Sequence, residues 1–430
     1  MRIIRFEIRV KTPKRNTIFF DKKDAELIKR HDLQMTISDT TMPSIAYSII
    51  ENDASLITFC ENNKTIEWMA VDTEFIGERR YETLLCLIQV ATVDGYYLID
   101  PIKVTDLKPF LDLIESPAIL KITHAGENDY RLLNQNYQII PQNIFDTQVA
   151  AGFIGMGYPI SYAKLVEKEM DQTIDKGYAA TDWEARPLKT KQIEYALSDV
   201  THLKAIFDSQ CRQLKSRGRY EWVVSEMKIW ETPQYYKRDP HKEALMNTMM
   251  QSMRTQKQIF LLRLYEWRRS EAQRLNYSKE MILPAKFISP IIKSIDNGKQ
   301  ALLDSRIIPD RLVEQNWKNF RELYENKATP EEFEILKRLP PSKKEDPKRE
   351  VAIELLHILV KFKCMESGIA PQLVMNKSDL AYLQPGEALF AADENDWRKD
   401  FLGEALLQWL NGRGELTVSI EANKVVVTSA

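Results

Sequence analysis

Two carboxylates that share one face of a buried strand are the residues in this chain best suited to chemistry. The segment 68–75 is apolar, with β-branched and aromatic members, which is typical of a core strand, and it carries Asp72 and Glu74. Side chains alternate along a strand, so the two acids point the same way. Like charges at the edge of an apolar core are costly unless a cation lies between them, and such oxygen ligands suit Mg²⁺ or Mn²⁺. The pair predicts a metal site.

Further acids arrive at suitable places along the chain. Asp129 follows the apolar strand 118–122 and falls in the first turn of the next predicted helix. Tyr195 and Asp199 lie four residues apart in a predicted long amphipathic helix, about Thr190 to Leu214, so they share one helix face. This order of carboxylates and tyrosine indicates a two-metal nuclease.

With these motifs in place, the chain resembles ribonuclease D, of the DEDD 3′→5′ exonuclease superfamily, in the subgroup whose third motif carries tyrosine. Three further stretches are similar to family sequence, and the resemblance runs from about Met42 to the end: Leu-Cys-Leu-Ile-Gln-Val at 85–90, Phe-Asp-Thr-Gln at 145–148 and Thr-Asp-Trp-Glu-Ala-Arg-Pro-Leu at 181–188. The histidine subgroup would carry histidine where this chain has Glu194.

The resemblance implies a metal-dependent 3′→5′ exoribonuclease that releases nucleoside 5′-monophosphates. Asp72, Glu74, Asp129 and Asp199 would hold two Mg²⁺ or Mn²⁺ ions about 3.5–4 Å apart, which activate water and stabilise the leaving oxygen. Tyr195, with an ordinary phenol pKa of about 10, would be neutral and would orient the attacking water. The implied substrates are structured RNAs with 3′ trailers, chiefly precursor tRNA.

Other polar residues near the motifs have weaker assignments. His124, Lys176 and Arg186 could contact the phosphates or bases of RNA, and ordinary structural roles are equally open for them. Asp146, directly before Thr147, is expected to cap a helix.

The expected fold is an α/β ribonuclease-H-like exonuclease domain, a mixed sheet with flanking helices, followed by two all-α helical modules. Strands at 68–75, 84–92 and 95–100, with a tight turn at Gly95, predict an antiparallel start, and strand–helix alternation follows. A further strand is expected near Gln138 to Ile140.

The chain divides by composition into five predicted segments. These are an N-terminal extension of unknown role (1–41), the exonuclease domain (42–219), a helical domain resembling the helicase-and-RNase-D C-terminal (HRDC) module (240–330), a Pro-rich charged linker (331–350), and a second, degenerate copy of that module with a C-terminal tail (351–430). The tail from Leu416 to Thr428 alternates like a hairpin.

Charge is distributed unevenly although the net charge is only −2. Residues 43–215 hold 25 acidic and 16 basic side chains, whereas residues 246–327 hold 15 basic and 9 acidic ones. A basic segment attracts phosphate directly, and an acidic one needs cations in its site. We expect the helical module to bind the body of the RNA.

Composition excludes several other classes. The four cysteines are scattered, so a disulfide or zinc framework is not expected, and the N-terminus lacks the apolar stretch of a secretory signal. No phosphate-binding Gly-x-x-x-x-Gly-Lys-Ser/Thr loop occurs. We expect a monomer in the cytoplasm, with RNA as its partner and with neither a nucleotide cofactor nor a membrane partner.

Two alternatives stay open at this point. A DNA 3′→5′ exonuclease shares the tyrosine motif, although the basic helical module and the absence of a polymerase domain argue against it. A non-catalytic RNA-binding protein would need a damaged metal site, whereas all four carboxylates are present.

Overall fold

A computed structural model describes residues 4–8, 46–174, 181–339, 347–375, 396–403, 416–421 and 424–429. Its strands are β1 (Ile4–Ile8), β2 (Tyr47–Ile50), β3 (Trp68–Ile76), β4 (Leu84–Thr92), β5 (Gly95–Ile99), β6 (Leu120–Thr123), β7 (Ile144–Asp146), β8 (Leu416–Glu421) and β9 (Lys424–Ser429).

The helices that precede the predicted helical module are α1 (Asp53–Asn63), α2 (Lys108–Glu115), α3 (Glu127–Tyr137), α4 (Thr147–Phe153), α5 (Tyr162–Met170), α6 (Thr190–Thr201), α7 (Leu203–Ser216), α8 (Tyr220–Lys228) and α9 (Pro233–Tyr236). Those that follow are α10 (Lys242–Leu245), α11 (Thr255–Leu275), α12 (Lys279–Ile282), α13 (Ala285–Ser294), α14 (Gly298–Asp304), α15 (Asp310–Glu325), α16 (Pro330–Lys337), α17 (Pro347–Ser367), α18 (Pro371–Val374) and α19 (Trp397–Leu402). The predicted long helix near Asp199 is two helices that meet at His202.

A six-stranded mixed sheet carries the N-terminal half, in the order β2-β5-β4-β3-β6-β7. Strands β3, β4 and β5 pair antiparallel, while β2, β6 and β7 pair parallel to their neighbours. The predicted mixed sheet with flanking helices is confirmed. The strand expected at Gln138–Ile140 is wrong, because Gln138 ends α3 in a left-handed conformation with φ 60° and pairing resumes only at Ile144.

The largest apolar core joins this sheet to helices from both ends of the chain. Residues of β3, β4 and α2 share it with Val223, Met227 and Trp230, which lie beyond the predicted boundary at 219. Helices α17 to α19 bury Leu356, Val360, Leu373, Trp397 and Phe401 in the same core. The described helices of the segment expected to form a second helical module therefore pack on the nuclease sheet and helices.

The helices from α10 to α16 surround a separate apolar core. Phe260, Leu264, Ile291 and Phe320 are buried in it. This packing includes α16, inside the segment 331–350 predicted as a linker. Pro330 at the first turn and a reciprocal capping box between Thr329 and Glu332 begin that helix.

The two ends of the chain meet in a three-stranded sheet. The backbone of β1 pairs in parallel with β8, and β8 and β9 form the hairpin predicted for the C-terminal tail. None of the described helices combines the length and apolarity needed to cross a membrane. The functional boundaries between domains remain predictions.

Candidate active site

The first two site carboxylates stand on β3, in the middle of the sheet. Asp72 pairs across the antiparallel ladder with Gln89 and Glu74 pairs with Leu87, so their side chains emerge on one face. The register shifts between Glu74 and Phe75, directly after the second acid. Such an irregularity bends the strand next to the two carboxylates.

Helix α6 covers this face and adds two more polar groups. Ala196 and Leu197 pack on Leu87 and Leu98 of the sheet, which sets the height and rotation of the helix. Asp199 then places a carboxylate oxygen within 4.8 Å of oxygens from Asp72 and Glu74. Tyr195, one turn earlier, is hydrogen bonded through its phenol to Asp199.

The fourth carboxylate comes from the first turn of α3. The hydroxyl of Thr73 donates a hydrogen bond to Oδ1 of Asp129, which links α3 to β3. Asp129 lies close enough for its charge to raise the pKa values of Asp72 and Glu74. The structure thus brings Asp72, Glu74 and Asp199 into one group with Tyr195 beside it, and places Asp129 near that group but not within its 4.8 Å limit.

Burial raises the pKa of every carboxyl in this group, and repulsion from the other acids adds to it at Asp72 and Glu74. Burial is the largest cause throughout, and it raises the pKa of Glu74 to about 8, of Asp199 to about 7 and of Asp129 to about 6. The pKa of Asp72 rises well above its usual range, through burial and the charges of Asp129, Asp199 and Glu74. Carboxylates placed this way are stable as anions only beside cations, so the donor set fits divalent metal.

His124 uses both ring nitrogens inside the protein. Its Nδ1 is 2.9 Å from the hydroxyl of Thr147 and its Nε2 is 3.0 Å from the carbonyl of Ile160. Burial lowers the pKa of the ring, so the neutral form is favoured. These contacts differ from the predicted contact with RNA, because neither nitrogen is left for a phosphate.

Arg186 is likewise engaged by the protein. Its guanidinium forms a two-point ion pair with Asp100, at 2.6 and 2.7 Å, and donates to the carbonyls of Cys86 and Trp183, each at 2.7 Å. The side chain of Asp100 is only 2% exposed and that of Arg186 15% exposed. The geometry therefore gives Arg186 a structural contact in place of the predicted RNA contact. Lys176 lies outside the described residues.

The helix cap predicted at Asp146 is confirmed. Its carboxylate accepts from the backbone N–H groups of Gln148 and Val149 at the start of α4, and also from that of Gly126 before α3. One buried acid thus fixes the beginnings of two helices, one of which carries Asp129.

Two neighbours of the predicted acids were not foreseen from the sequence, Thr73 and Gln89. Thr73 stands between the two acids of β3, on the opposite face, and reaches Asp129 only through the fold. Gln89 lies in the family-like stretch 85–90, but its position opposite Asp72 depends on the register of β4. A pairing register cannot be read from either strand alone.

Similarity to known proteins covers most of the chain. Residues 47–215 match a family model described as a 3′-5′ exonuclease. Ribonuclease D of Nitrobacter hamburgensis is 31% identical over 381 residues, which cover 88% of this chain and 98% of that protein. Ribonuclease D of Bartonella henselae is 31% identical over 415 residues, covering 94% and 96%.

Solved structures give the same picture. The RNase D of Escherichia coli, an exoribonuclease involved in structured RNA processing, superposes with a TM-score of 0.73 at 25% identity, covering 86% of this chain and 99% of that one. A protein from Bifidobacterium adolescentis shares the fold with a TM-score of 0.61 at 20% identity, covering 85% and 96%.

Proposed function

Because this chain belongs to the ribonuclease D family and is a 3′→5′ exoribonuclease, we propose that it trims structured RNAs, chiefly precursor tRNA, and releases nucleoside 5′-monophosphates. The observation that carries this proposal is the cluster of Asp72, Glu74 and Asp199, whose carboxylate oxygens lie within 4.8 Å of one another. Asp129 stands beside them, held by Thr73. The activity is hydrolytic.

The carboxylates fit the divalent metal on which this superfamily depends. We assign Asp72, Glu74, Asp129 and Asp199 as ligands of two ions, Mg²⁺ or Mn²⁺, since hard cations prefer such oxygens. When bound, such ions lower the pKa of water and stabilise the charge that develops on the leaving 3′ oxygen. The chain supplies the group of carboxylates, and the apolar contacts of α6 with the sheet hold Asp199 beside Asp72 and Glu74.

Tyr195 has a positioning role in this proposal. Burial and then the charges of Asp199, Glu74 and Asp72 raise the pKa of its phenol above the ordinary value, so it keeps its proton near neutral pH. A protonated phenol is a poor base and a good hydrogen-bond donor. We therefore assign Tyr195 to orient the attacking water, while its contact with Asp199 fixes the ring.

The test uses single substitutions that keep the shape of the site. We expect Asp72→Asn or Asp199→Asn to abolish hydrolysis while RNA binding survives, because a metal ligand is lost and the basic surface is not. Matched RNA and DNA substrates, with Mg²⁺ or with EDTA, report the substrate class and the metal dependence. Asp94→Asn, in the exposed turn between β4 and β5, serves as the control and should hydrolyse normally.

Wild-type turnover in either site variant contradicts the metal assignment. Faster hydrolysis of the DNA substrate than of the matched RNA contradicts the proposed substrate.

A further inference from the structure

Gln89 is a fully buried polar side chain at the centre of the sheet, with 0% of its surface exposed. Neither its amide nitrogen nor its amide oxygen has a hydrogen-bond partner in the part of the chain that the structure describes. Buried amides are almost always hydrogen bonded, because desolvation without compensation costs free energy. An amide left alone in a well-packed core points to a partner that joins it in another state of the protein.

The register of the sheet places Gln89 directly opposite Asp72 on the neighbouring strand. Gln89 pairs with Asp72 on one side and with Leu98 on the other, and directly paired residues project on the same face with Cβ atoms about 4.5–5.5 Å apart. The side chain therefore stands next to the Asp72 carboxylate, on the face that α6 covers.

Apolar side chains flank Gln89 along its own strand and on α6. On one side Leu87 and Leu98 pack against Ala196 and Leu197 of α6. On the other side Ala91 packs in a cluster with Val200, one turn further along the same helix. Asp72 is the polar side chain that directly faces Gln89 across the ladder.

Resting on the function proposed above, we propose that Gln89 is a positioning residue for the metal site: its amide N–H donates a hydrogen bond to one carboxylate oxygen of Asp72 and aims the other at the metal. Rotation of the terminal amide is broad and inexpensive, so the donor can turn to the carboxylate when metal binds.

A neutral donor suits this position. It orients the carboxylate without the positive charge of lysine or arginine, which would compete with the metal. Outer groups that orient metal ligands in this way typically change metal affinity about 10–100-fold when they are removed.

The test is Gln89→Met, which keeps the length and volume of the side chain and removes both hydrogen-bonding groups. We expect the dissociation constant for Mn²⁺, measured by calorimetry on the full chain, to rise about 10–100-fold. Hydrolysis should need correspondingly more Mn²⁺ and should recover most of its maximal rate at saturating metal. A defect limited to the fold would leave the midpoint of the metal titration unchanged.

Gln210→Met is the matched control. Gln210 is also fully buried with an unpartnered amide oxygen, but its nitrogen donates to the carbonyl of Thr147, between α7 and α4. Its variant should lose some thermal stability and bind Mn²⁺ like the wild type. Gln89→Leu provides a second apolar variant, with folding checked by circular dichroism.

The outcomes distinguish failure of the role proposed for Gln89 from failure of the proposed function. Wild-type Mn²⁺ affinity in a folded Gln89→Met or Gln89→Leu protein overturns the positioning role alone. Unfolding of both Gln89 variants, where Gln210→Met folds, overturns it as well, because Gln89 would then belong to the fold. Failure of the wild type itself to bind Mn²⁺ overturns the proposed function.

Discussion

Tyr195 differs from the carboxyls around it because it stays protonated near neutral pH. Burial raises the pKa of all of them, but for the carboxyls the pKa moves toward neutrality, whereas for the phenol it moves away from it. Near pH 7 the acids can therefore exchange protons for metal while Tyr195 stays a donor. The two kinds of group cannot replace one another.

Substitution of Tyr195 by phenylalanine tests that role. We expect Tyr195→Phe to slow the chemical step by on the order of 10²–10⁴, the range for a positioned group that handles a proton. Metal binding should change little, because the phenol is not proposed as a ligand. Single-turnover hydrolysis and Mn²⁺ calorimetry measure the two effects, and a loss of metal affinity in the folded variant would speak against the assignment.

The raised carboxyl pKa values also predict how stability depends on pH without metal. Between about pH 4 and 8 the folded protein holds protons on Asp129, Asp199 and Glu74 that the unfolded chain has already released. Unfolding then releases protons, so the free energy of unfolding falls as pH rises through this window. Added Mg²⁺ takes the place of those protons, and its stabilising effect should grow with pH.

Thermal melts from pH 5 to 8, in EDTA and in Mg²⁺, measure both trends. In Asp199→Asn one of the titrating groups is gone, so the melting temperature in EDTA should fall less with pH. Parallel curves for the variant and the wild type would show that Asp199 does not titrate in this window.

Two arginines hold the described residues directly before α6, 181–189, by ion pairs that differ in burial. Arg186 is bound to the buried Asp100 at the end of β5, whereas Arg80 pairs with Glu184 at the surface, where the two side chains are 35% and 45% exposed. Loss of the Arg186 contact leaves the buried carboxylate of Asp100 without a partner. Loss of the Arg80 contact leaves groups that water can solvate.

We accordingly expect Arg186→Met to lower the free energy of unfolding by about 3–5 kcal/mol, the usual cost of breaking a buried ion pair. Arg80→Met should cost about 0–1 kcal/mol, as exposed pairs do, and serves as the control. Denaturant unfolding measures both. If Arg186→Met instead lowered RNA affinity without changing stability, the result would support the RNA contact predicted from the sequence.

The elements of the site were predictable where their signals are local. Alternation along β3 sufficed to place Asp72 and Glu74 on one face, and a spacing of four sufficed for Tyr195 and Asp199. The hydrogen bond of Thr73 to Asp129 depends on helix docking, and the ladder pairing of Asp72 with Gln89 depends on strand register, both of which link distant parts of the chain.

Longer-range features escaped prediction for related reasons. Strand β7 has three residues and receives its alignment from β6, so it has little pattern of its own. The apolar face of α17 signals burial without saying what covers it, and its cover is the distant nuclease core.

Charge acts on the scale of the whole molecule. Residues 246–327 are basic by six charges and residues 43–215 acidic by nine, so binding of the RNA body and chemistry at the 3′ end should be separable. A truncation near Arg219 cannot test this, because Val223, Met227 and Trp230 belong to the main core. Substitutions on the surface of the module can.

Arg306, Arg311 and Lys318 are exposed in the module. Changing all three to Glu should weaken binding of tRNA-sized RNA and make its affinity fall less steeply with salt, since fewer phosphates are neutralised. Hydrolysis of short unstructured RNA should persist. The matched control changes Lys64, Lys103 and Lys108, exposed in the nuclease half, to Glu. Equal RNA affinity and equal salt slope in both triple variants would exclude RNA binding by Arg306, Arg311 and Lys318.

The shared core also bears on how the protein is made. The backbone N–H of Ala370, directly before α18, donates to the carbonyl of Gly152, and Trp397 of α19 packs edge-on against Phe153, so late parts of the chain pack on α4. A ribosome adding about 5–20 residues per second needs on the order of ten seconds to travel from Trp230 to Trp397. During that interval all the proposed catalytic residues have been synthesised, whereas the helices that complete the main core have not. We expect a nascent chain interrupted there to hydrolyse RNA poorly, because its main core is incomplete.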